Sequence, residues 1–507
     1  MRASADESSV LVASGPERTG RAKGPIRFAL VAVITLVATL AASPASATTV
    51  TAAQAVPGTS LLNSAACSTA TTCVAVGFVF PGFGVAVPIT NGTPGAVQVV
   101  PGPSSTLNGV ACPSTTTCLA VGSQFVPIPG HRPGHQAIVV PITNGVLGPV
   151  QGVPALQDLA GVACSSATTC YAVGTSPSGG VNVVLTLTNG IPGTVQTVSG
   201  PYGLAAVACS STTTCYAVGP AEDQGVVVPI TDGVLGIAQF VPDAALLYGV
   251  ACSIATTCYA VGIAADFSQT VLVPITNGVP AAALPVTGAS LGAIACPSAT
   301  TCVTVGANDS GGVVVTIVDG VPGPAVAVSG SSGLYAVGCG SVTTCVAVGS
   351  NSDQVGVVVS ITVPPPCATK VTGNHVGSLV TGAGLTCLSG VHLRGSVIVP
   401  RGASVDIENS TITGSISATG PADVRVCGTT VRGSVGVSAA LGFVLIGDPG
   451  DDGCATNRIG GSLILVNNHH GLEAIGNRVA GTVVVSGNSG AGPFPEDTAP
   501  DVSGNGR

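Results

Sequence analysis

The stretch Leu107-Asn-Gly-Val-Ala-Cys112-Pro-Ser-Thr-Thr-Thr-Cys118-Leu-Ala-Val-Gly122 occurs in seven variants along the chain. Each variant contains two cysteines separated by five residues, and the first cysteines of successive copies are 45, 52, 45, 43, 44 and 43 residues apart. A fixed period in this range is typical of a repeat architecture. The pairs are Cys67 and Cys73, Cys112 and Cys118, Cys164 and Cys170, Cys209 and Cys215, Cys252 and Cys258, Cys296 and Cys302, and Cys339 and Cys345.

The composition favours sheets that are covered on both faces. Only 7% of the 507 residues are charged, 46% are hydrophobic and none is tryptophan. The hydrophobic residues are mostly Val, Ala, Leu and Ile, which argues against disorder. Beyond the N-terminal segment, no apolar run reaches the roughly 20 residues of a membrane span without Gly, Pro or a polar residue. The length and the end of the repeats near residue 363 predict at least two domains.

The N-terminal segment has the pattern of an export signal. Basic residues, the last of them Arg27, precede an apolar run over residues 28–42, and Ala45-Ser46-Ala47 fits the small-residue cleavage pattern. We expect a Sec-type signal peptide over residues 1–47, cleaved after Ala47, and a secreted or cell-surface protein. An uncleaved anchor is the alternative. Export agrees with 18 cysteines, because disulfides persist outside the cytosol.

Each repeat predicts four short strands. In the second repeat these are residues 107–112, 118–122, 137–143 and 149–153, and Asn144-Gly145 is a strong turn signal after the third. Four strands in about 45 residues are the unit of a propeller blade, and seven units fall in the usual range. We therefore predict an all-β fold with a seven-bladed β-propeller over residues 48–363.

The ends of the repeat block predict how the ring closes. The seventh repeat lacks a fourth strand, whereas residues 51–58, before the first repeat, resemble the fourth strand at residues 95–102. An N-terminal strand that completes the last blade would leave no open sheet edge.

The five-residue spacing places both cysteines of a repeat on neighbouring antiparallel strands, within reach of a disulfide. Each such bridge closes a short loop and contributes about 2 kcal/mol in the chain-entropy model. Zinc binding is the alternative, but pairs distributed one per blade cannot converge on one tetrahedral site.

The Leu-x-Gly-Val-Ala, Ala-Val-Gly and Ile-Thr-Asn/Asp-Gly segments resemble the neuraminidase-type repeats of sialidase-like and photosystem-assembly-factor-like propellers. Cys-rich versions resemble repeats of secreted actinobacterial proteins. The aspartate box of those families, Ser-x-Asp-x-Gly-x-Thr-Trp, is missing here. Arg132 is the only Lys or Arg in residues 48–363, so the sialidase arginine triad cannot form. The resemblance supports the propeller and argues against sialidase activity.

Alternating strand direction places the cysteine hairpins and Asn-Gly turns at one end of the ring and the variable loops at the other. Seven of the nine carboxylates of residues 48–363 fall on the variable loops, which also receive the one long insertion, residues 123–136. An acidic rim would attract a basic partner or a divalent cation, although solvation is the simpler explanation. The candidate binding residues are Asp158, Glu222, Asp223, Asp243, Asp266, Asp309, Asp353, His131, Arg132 and His135.

A second domain is expected over residues 367–489, after a proline linker at residues 364–366. Gly-Ser or Gly-Thr pairs begin at residues 377, 395, 414, 433, 461 and 481, each followed by an alternating apolar segment. Coils of this length predict a small right-handed parallel β-helix. Nearness in sequence pairs Cys367 with Cys387 and Cys427 with Cys454. The Gly- and Pro-rich residues 490–507 are expected to form a flexible tail.

Three functions remain open. We expect a non-catalytic extracellular binding or adhesion module that contacts a protein or a glycan through the acidic loops, with no cofactor and no nucleic acid. The second hypothesis is a carbohydrate-active enzyme, a glycoside hydrolase or polysaccharide lyase, that uses carboxylates of the β-helix or of the propeller rim. In the β-helix, Asp406 and Glu408 lie two apart on a predicted strand and could share one face. The third is a structural envelope protein. No basic patch for nucleic acid is evident in the sequence.

Overall fold

The part of the chain that the structure describes consists of β-strands joined by turns and loops. A computed structural model describes residues 48–126, 134–176, 181–198, 203–221, 224–449, 454–490 and 499–506. Seven antiparallel sheets precede three parallel sheets within these residues, which confirms the predicted seven-bladed β-propeller and parallel β-helix. The described residues contain no helix that is long and apolar enough to cross a membrane.

Each blade has four strand positions, counted from the axis of the ring outward. The first strand of every blade packs beside the first strands of both neighbours, so these seven strands lie nearest the axis. They are Leu61–Cys67, Ser105–Ala111, Asp158–Cys164, Ala206–Cys209, Ala244–Ile254, Ser290–Ala295 and Gly333–Cys339. The second strands are Thr72–Val79, Thr117–Val126, Thr169–Thr175, Thr214–Ala221, Thr257–Ala264, Thr301–Asn308 and Thr344–Ser350.

The outer half of each blade contains a long third strand and a short or interrupted fourth strand. The third strands are Phe83–Thr90, Gly134–Thr143, Asn182–Thr188, Gln224–Thr231, Thr270–Thr276, Gly311–Val318 and Gly356–Thr362. The fourth positions of blades one to six are Thr93–Pro94 with Gln98–Val99, Val146–Leu147 with Gln151–Val153, Ile191–Thr197, Val234–Leu235 with Gln239–Val241, Val279–Pro280 with Leu284–Val286, and Val321–Ala327.

The glycine of each Ala-Val-Gly segment is required by a close approach of two strands. In blade two the register shifts between Leu107 and Gly109, so that Asn108 is an extra residue on the first strand. A Cβ atom on Gly122 would lie 2.0 Å from the carbonyl oxygen of Thr106. Any other residue would push the first strand away. The same close approach recurs at Gly77, Gly174, Gly219, Gly262, Gly306 and Gly349.

The blades are held together by seven apolar cores, one between each pair of neighbours. Each core combines side chains from the facing sheets of two adjacent blades. The core between blades seven and one, for example, contains Val85, Val87, Val348 and Val358, all fully buried. Both faces of a blade are therefore covered, which explains the low charge of the repeats.

The N-terminal residues complete the last blade, as the sequence predicted. Thr49–Val50 and Gln54–Ala55 pair in antiparallel register with Gly356–Thr362. The Gln54 side chain also donates a hydrogen bond to the Gly92 carbonyl of blade one, at 3.2 Å. Gln151 makes the same contact with Gly190 of the next blade, at 3.1 Å. The junction between the last and first blades is thus built like an ordinary junction between blades.

The cysteines form nine disulfides, in the pairs that the sequence predicted. Seven bridges join the first and second strands of their own blades, and two lie in the C-terminal domain, between Cys367 and Cys387 and between Cys427 and Cys454. No described cysteine is free.

The C-terminal domain is a parallel β-solenoid of six coils with three sheets. The strands of the first sheet are Thr369–Val371, Gly384–Ser389, Ala403–Glu408, Asp423–Cys427, Val444–Ile446 and Leu472–Glu473. Those of the second are Asn374–Val376, His392–Arg394, Thr411–Ile412, Thr430–Val431, Arg458–Ile459 and Arg478–Val479. Those of the third are Leu379–Val380, Val397–Val399, Ile416–Thr419, Val435–Ser438, Leu463–Val466 and Val483–Ser486.

Ladders of identical side chains stack the solenoid coils. The Ser396 hydroxyl accepts a hydrogen bond from the backbone N–H of Ser415, at 3.0 Å, and the same contact recurs along the Gly-Ser corner. A buried asparagine ladder runs inside, where the Nδ2 of Asn477 donates to the Oδ1 of Asn505 at 2.8 Å. Residues 499–506 therefore extend the solenoid, and the flexible tail predicted from residue 490 is wrong for this segment.

The solenoid joins the propeller at the end of the ring that carries the cysteine hairpins and Asn-Gly turns. The ammonium group of Lys370 pairs with the carboxylate of Asp319, which lies in the turn after the third strand of blade six. Thr301 and Val318 from that end of blade six line a cavity of about 70 Å³ together with Pro365 and Lys370. The opposite end of the propeller is therefore left uncovered by the solenoid.

Candidate functional site

The end of the propeller opposite the solenoid is built from sequence-variable loops, and we call it the variable end. Its loops join the second strand of a blade to the third, or the fourth strand to the next blade. Examples are residues 80–82, 265–269 and 351–355 of the first kind and residues 242–243 of the second. The strands fix where these loops start and stop, while the loops themselves are free to differ.

Four of the predicted carboxylates are exposed at the variable end, namely Asp243, Asp266, Asp309 and Asp353. Asp266 accepts hydrogen bonds from the backbone N–H and the hydroxyl of Ser268, at 3.0 and 2.6 Å, and these bonds lower the pKa of Asp266. None of the four forms an ion pair with a described Lys, Arg or His. They contribute uncompensated negative charge to this surface.

Asp158 has a different role from the one that the sequence predicted. It is half-buried at the start of the first strand of blade three. The amide nitrogen of Asn108 in blade two donates to Asp158 Oδ1 at 3.0 Å and to the Leu159 carbonyl at 3.0 Å. Burial raises the pKa of Asp158, and its hydrogen bonds and His135 oppose that rise. Asp158 therefore bridges two blades near the axis and is not an exposed rim contact.

The remaining candidates do not assemble into a metal site or a catalytic site. His131, Arg132, Glu222 and Asp223 lie outside the described residues. The ring of His135 packs edge-to-face on Phe125, with centroids 5.5 Å apart. Among the residues that the structure describes, no three His, Cys, Asp or Glu side chains come close enough together to hold a metal ion.

Aromatic side chains are the feature of the variable end that sequence reasoning missed. Within the described residues, every exposed aromatic side chain lies on its loops, on the adjoining strand ends or on the nearby half of a first strand, with exposed fractions from 38% to 66%. They are Phe80, Phe125, Phe240, Tyr248, Phe267 and Tyr335. Tyr171 and Tyr216, at the opposite end, are only 5% exposed and pack near turn glycines of the next blade. The available sequence signal was the position of Phe267 beside Asp266 and of Phe240 three residues before Asp243.

The solenoid carboxylates do not support the enzyme hypothesis. Asp406 and Glu408 share one face, as predicted, but both bind Arg425 of the next coil. All three residues are 8% exposed. Burial raises the pKa of Asp406 to about 6, and the Arg425 charge opposes the rise. The adjoining cavity of about 70 Å³ is far smaller than the several hundred Å³ typical of a ligand pocket. These groups form a buried ion-pair network rather than an open catalytic pair.

The fold and this surface define a disulfide-bonded β-propeller joined to a β-solenoid. No protein-family model matches the chain, and no curated protein matches it. Three solved WD40 propellers are similar to it in fold. The propeller of Doa1 shares 9% identity over 62% of this chain and 95% of its own, with a TM-score of 0.45. The RRP9 repeats share 11% over 64% and 99%, with a score of 0.48. The Neurospora crassa Pan2 domain shares 10% over 62% and 96%, with a score of 0.42. Identities and scores this low carry no information about ligand or activity.

Proposed function

We propose that this protein is an exported, non-catalytic binding module that contacts a basic extracellular protein through the variable end of its propeller. The observation that carries the proposal is the coincidence, on one end, of six exposed aromatic side chains and four exposed carboxylates. Aromatic residues, Phe among them, are enriched in protein interfaces, and Tyr is among the residues that most often dominate the binding energy. Carboxylates around them would steer a basic partner and set its orientation.

The placement of the solenoid supports this assignment. Contacts of blade six with Lys370 and the proline segment occupy the opposite end of the ring. The variable end is therefore the end of the propeller whose loops differ in sequence and are not covered by the solenoid. Nine disulfides support export, because bridges of this density persist in oxidising compartments.

A peptide array tests the proposal. The purified chain is probed against short basic, neutral and acidic peptides, and the selected peptides are titrated by fluorescence anisotropy. One variant replaces Phe240 and Phe267 with Ser, and a second replaces Asp243, Asp266, Asp309 and Asp353 with Asn. The control replaces Val146 and Val279 with Ser, because these side chains are equally exposed, at 61% and 58%, but lie at the opposite end.

We expect preferential binding of basic peptides, a loss of about tenfold or more in the first two variants, and no change in the control. Truncating one interface aromatic typically costs more than 1 kcal/mol, which corresponds to this loss. Equal binding by all variants would contradict the assignment of the variable end. A preference for acidic or neutral peptides would contradict the basic partner.

A further inference from the structure

The second sheet of the solenoid presents a row of arginines to solvent. Its outward positions form two parallel columns, one through Asn374, His392, Thr411, Thr430, Arg458 and Arg478, and one through Val376, Arg394, Thr413, Arg432, Gly460 and Ala480. Arg394, Arg432, Arg458 and Arg478 are all exposed. We call this surface the arginine face. No basic patch for nucleic acid was evident in the sequence, and this face was not predicted, because the coils bring together arginines that are 20 to 38 positions apart.

No carboxylate compensates these arginines within the described residues. The three ion pairs found there involve Lys370 and Arg425 only. The acidic strand residues of the solenoid, Asp406, Glu408, Asp423 and Glu473, all belong to the first sheet. A surface whose charges serve only solubility carries both signs interspersed. The first sheet carries Lys370 and Arg425 as well as carboxylates, whereas the second sheet carries arginines and no carboxylate. The single sign of the second sheet points to an anionic ligand there.

The arginine face also contains a recess of ligand size. A cavity of about 450 Å³ extends along the outer surface of coils one to four. It is lined by Asn374, His375, His392, Arg394, Thr411 and Arg432 among others. This volume lies in the usual range of a small-molecule site. Hydroxyl and amide groups adjoin the guanidiniums, so the recess can hydrogen-bond neutral polar groups beside an anionic one.

Strand spacing determines the shape of ligand that could use all four arginines. Adjacent coils are about 4.8 Å apart. Arg394 and Arg432 are therefore separated by about 10 Å along the solenoid axis, and Arg458 and Arg478 by about 5 Å, over a total of about 19 Å. A single small anion reaches one or two of these groups. An extended polymer with regularly spaced acidic groups, lying along the axis, reaches all four.

We propose that the arginine face binds a linear acidic polysaccharide whose carboxylates pair with Arg394, Arg432, Arg458 and Arg478. Guanidinium groups recognise carboxylates in bidentate geometry, and Thr411 and Thr413 supply hydroxyl groups for sugar hydroxyls. A nucleic acid fits less well. Single strands are bound mainly by stacking on large aromatic side chains, and the described residues of this face include no Phe, Tyr or Trp.

Polygalacturonate is the probe, titrated calorimetrically into the full mature chain at low salt. The test variant replaces all four arginines with glutamine, and the control is Arg401→Gln, an exposed arginine in the turn before the first-sheet strand Ala403–Glu408. Dextran serves as the neutral polysaccharide and duplex DNA as the competing polyanion. Circular dichroism and disulfide mapping show whether each variant keeps its fold.

We expect polygalacturonate to bind the parent chain and the Arg401→Gln variant with equal affinity. It should bind the fourfold variant about 100-fold more weakly. Binding should weaken steeply with added salt, since the contacts are charged and exposed. Equal binding of dextran, an equal loss in Arg401→Gln, or tighter binding of DNA than of polygalacturonate would each overturn the proposal. If the fourfold variant does not fold, the double variant Arg394→Gln with Arg432→Gln replaces it. The double variant should lose about tenfold in affinity for polygalacturonate. Unchanged binding by the double variant would again overturn the proposal. The propeller residues are untouched, so basic-peptide binding at the variable end remains an independent readout.

Discussion

Removal of the N-terminal strand should open the propeller ring. In a chain truncated to begin at Gly58 rather than at Thr48, the last blade loses its fourth strand. Three backbone carbonyls of blades six and seven lose their donors, because Ser329, Gly356 and Ser360 accept hydrogen bonds of 2.8 to 3.0 Å from N–H groups of the deleted segment. The Val56 side chain, only 2% exposed, leaves the core between blades seven and one.

The loss of folding free energy can be estimated from these contacts. Each hydrogen bond contributes about 1 kcal/mol, as does the bond from Gln54 to Gly92, and burial of Val56 contributes about 2 kcal/mol. The total of about 6 kcal/mol is on the order of half the net stability of a typical domain. We expect the melting temperature to fall by about 10 °C or more, together with association of the exposed edge of Gly356–Thr362.

Differential scanning calorimetry and size-exclusion chromatography measure these effects. A matched pair of point variants isolates the burial term: Val56→Ala should destabilise by about 2 kcal/mol, whereas Val99→Ala, at a side chain that is 51% exposed, should have little effect. A truncated chain that melts and elutes like the parent would refute the closure of the ring by this strand.

Three further predictions concern the fold. Mass spectrometric mapping of the purified protein should find the seven propeller disulfides within their own blades, and bridges between blades would contradict the strand register. Gly306→Ala should destabilise blade six by several kcal/mol, because its Cβ would lie 1.9 Å from the Ser290 carbonyl, whereas Gly292→Ala, with open space around it, should not; equal melting of the two would count against the close approach. The pKa of Asp406 is about 6 in the folded chain, above its ordinary value near 4, so the folded state takes up a proton first as the pH falls. Stability in urea should therefore rise from pH 7 towards pH 4, by at most about 3 kcal/mol, and Asp406→Asn should abolish the rise; a parent chain without that dependence would disprove the role of this carboxyl.

The propeller could be predicted because its determinants are local. The cysteine spacing, the Asn-Gly turn and the Ala-Val-Gly segment each act within one hairpin, and seven copies reinforce one another. The partial match of residues 51–58 to a fourth strand even predicted the closure. Only the reason for the glycine, a backbone approach of about 2 Å in each blade, needed the structure.

The two proposed binding surfaces could not be predicted in full, because their residues are brought together by the strand register, which the sequence does not reveal. In the sequence, Asp158 resembles a charged residue of an exposed loop. In the structure it begins a first strand, where the side-chain amide of Asn108 in the neighbouring blade donates a hydrogen bond to it. In the solenoid, the fourth and fifth coils are separated by 28 residues rather than about 19, because the segment that contains Asp448 and Cys454 is inserted between them. Without the register, Arg432 and Arg458 could not be placed on the same sheet.

The distribution of charge is more informative than its amount. The repeats are apolar because both faces of each blade are buried. The few charged side chains of the described repeats are therefore exposed, ion-paired, or hydrogen-bonded between blades as Asp158 is. If the exposed charges served solvation alone, both signs should occur on both surfaces. Instead the variable end carries exposed carboxylates and aromatics, and the arginine face carries guanidiniums with no described partner. Two surfaces of opposite sign on separate domains suit the two ligands proposed above, and a protein that held both would link a basic protein to an acidic polysaccharide. Such a link predicts that each ligand binds in the presence of the other, because neither surface covers the second.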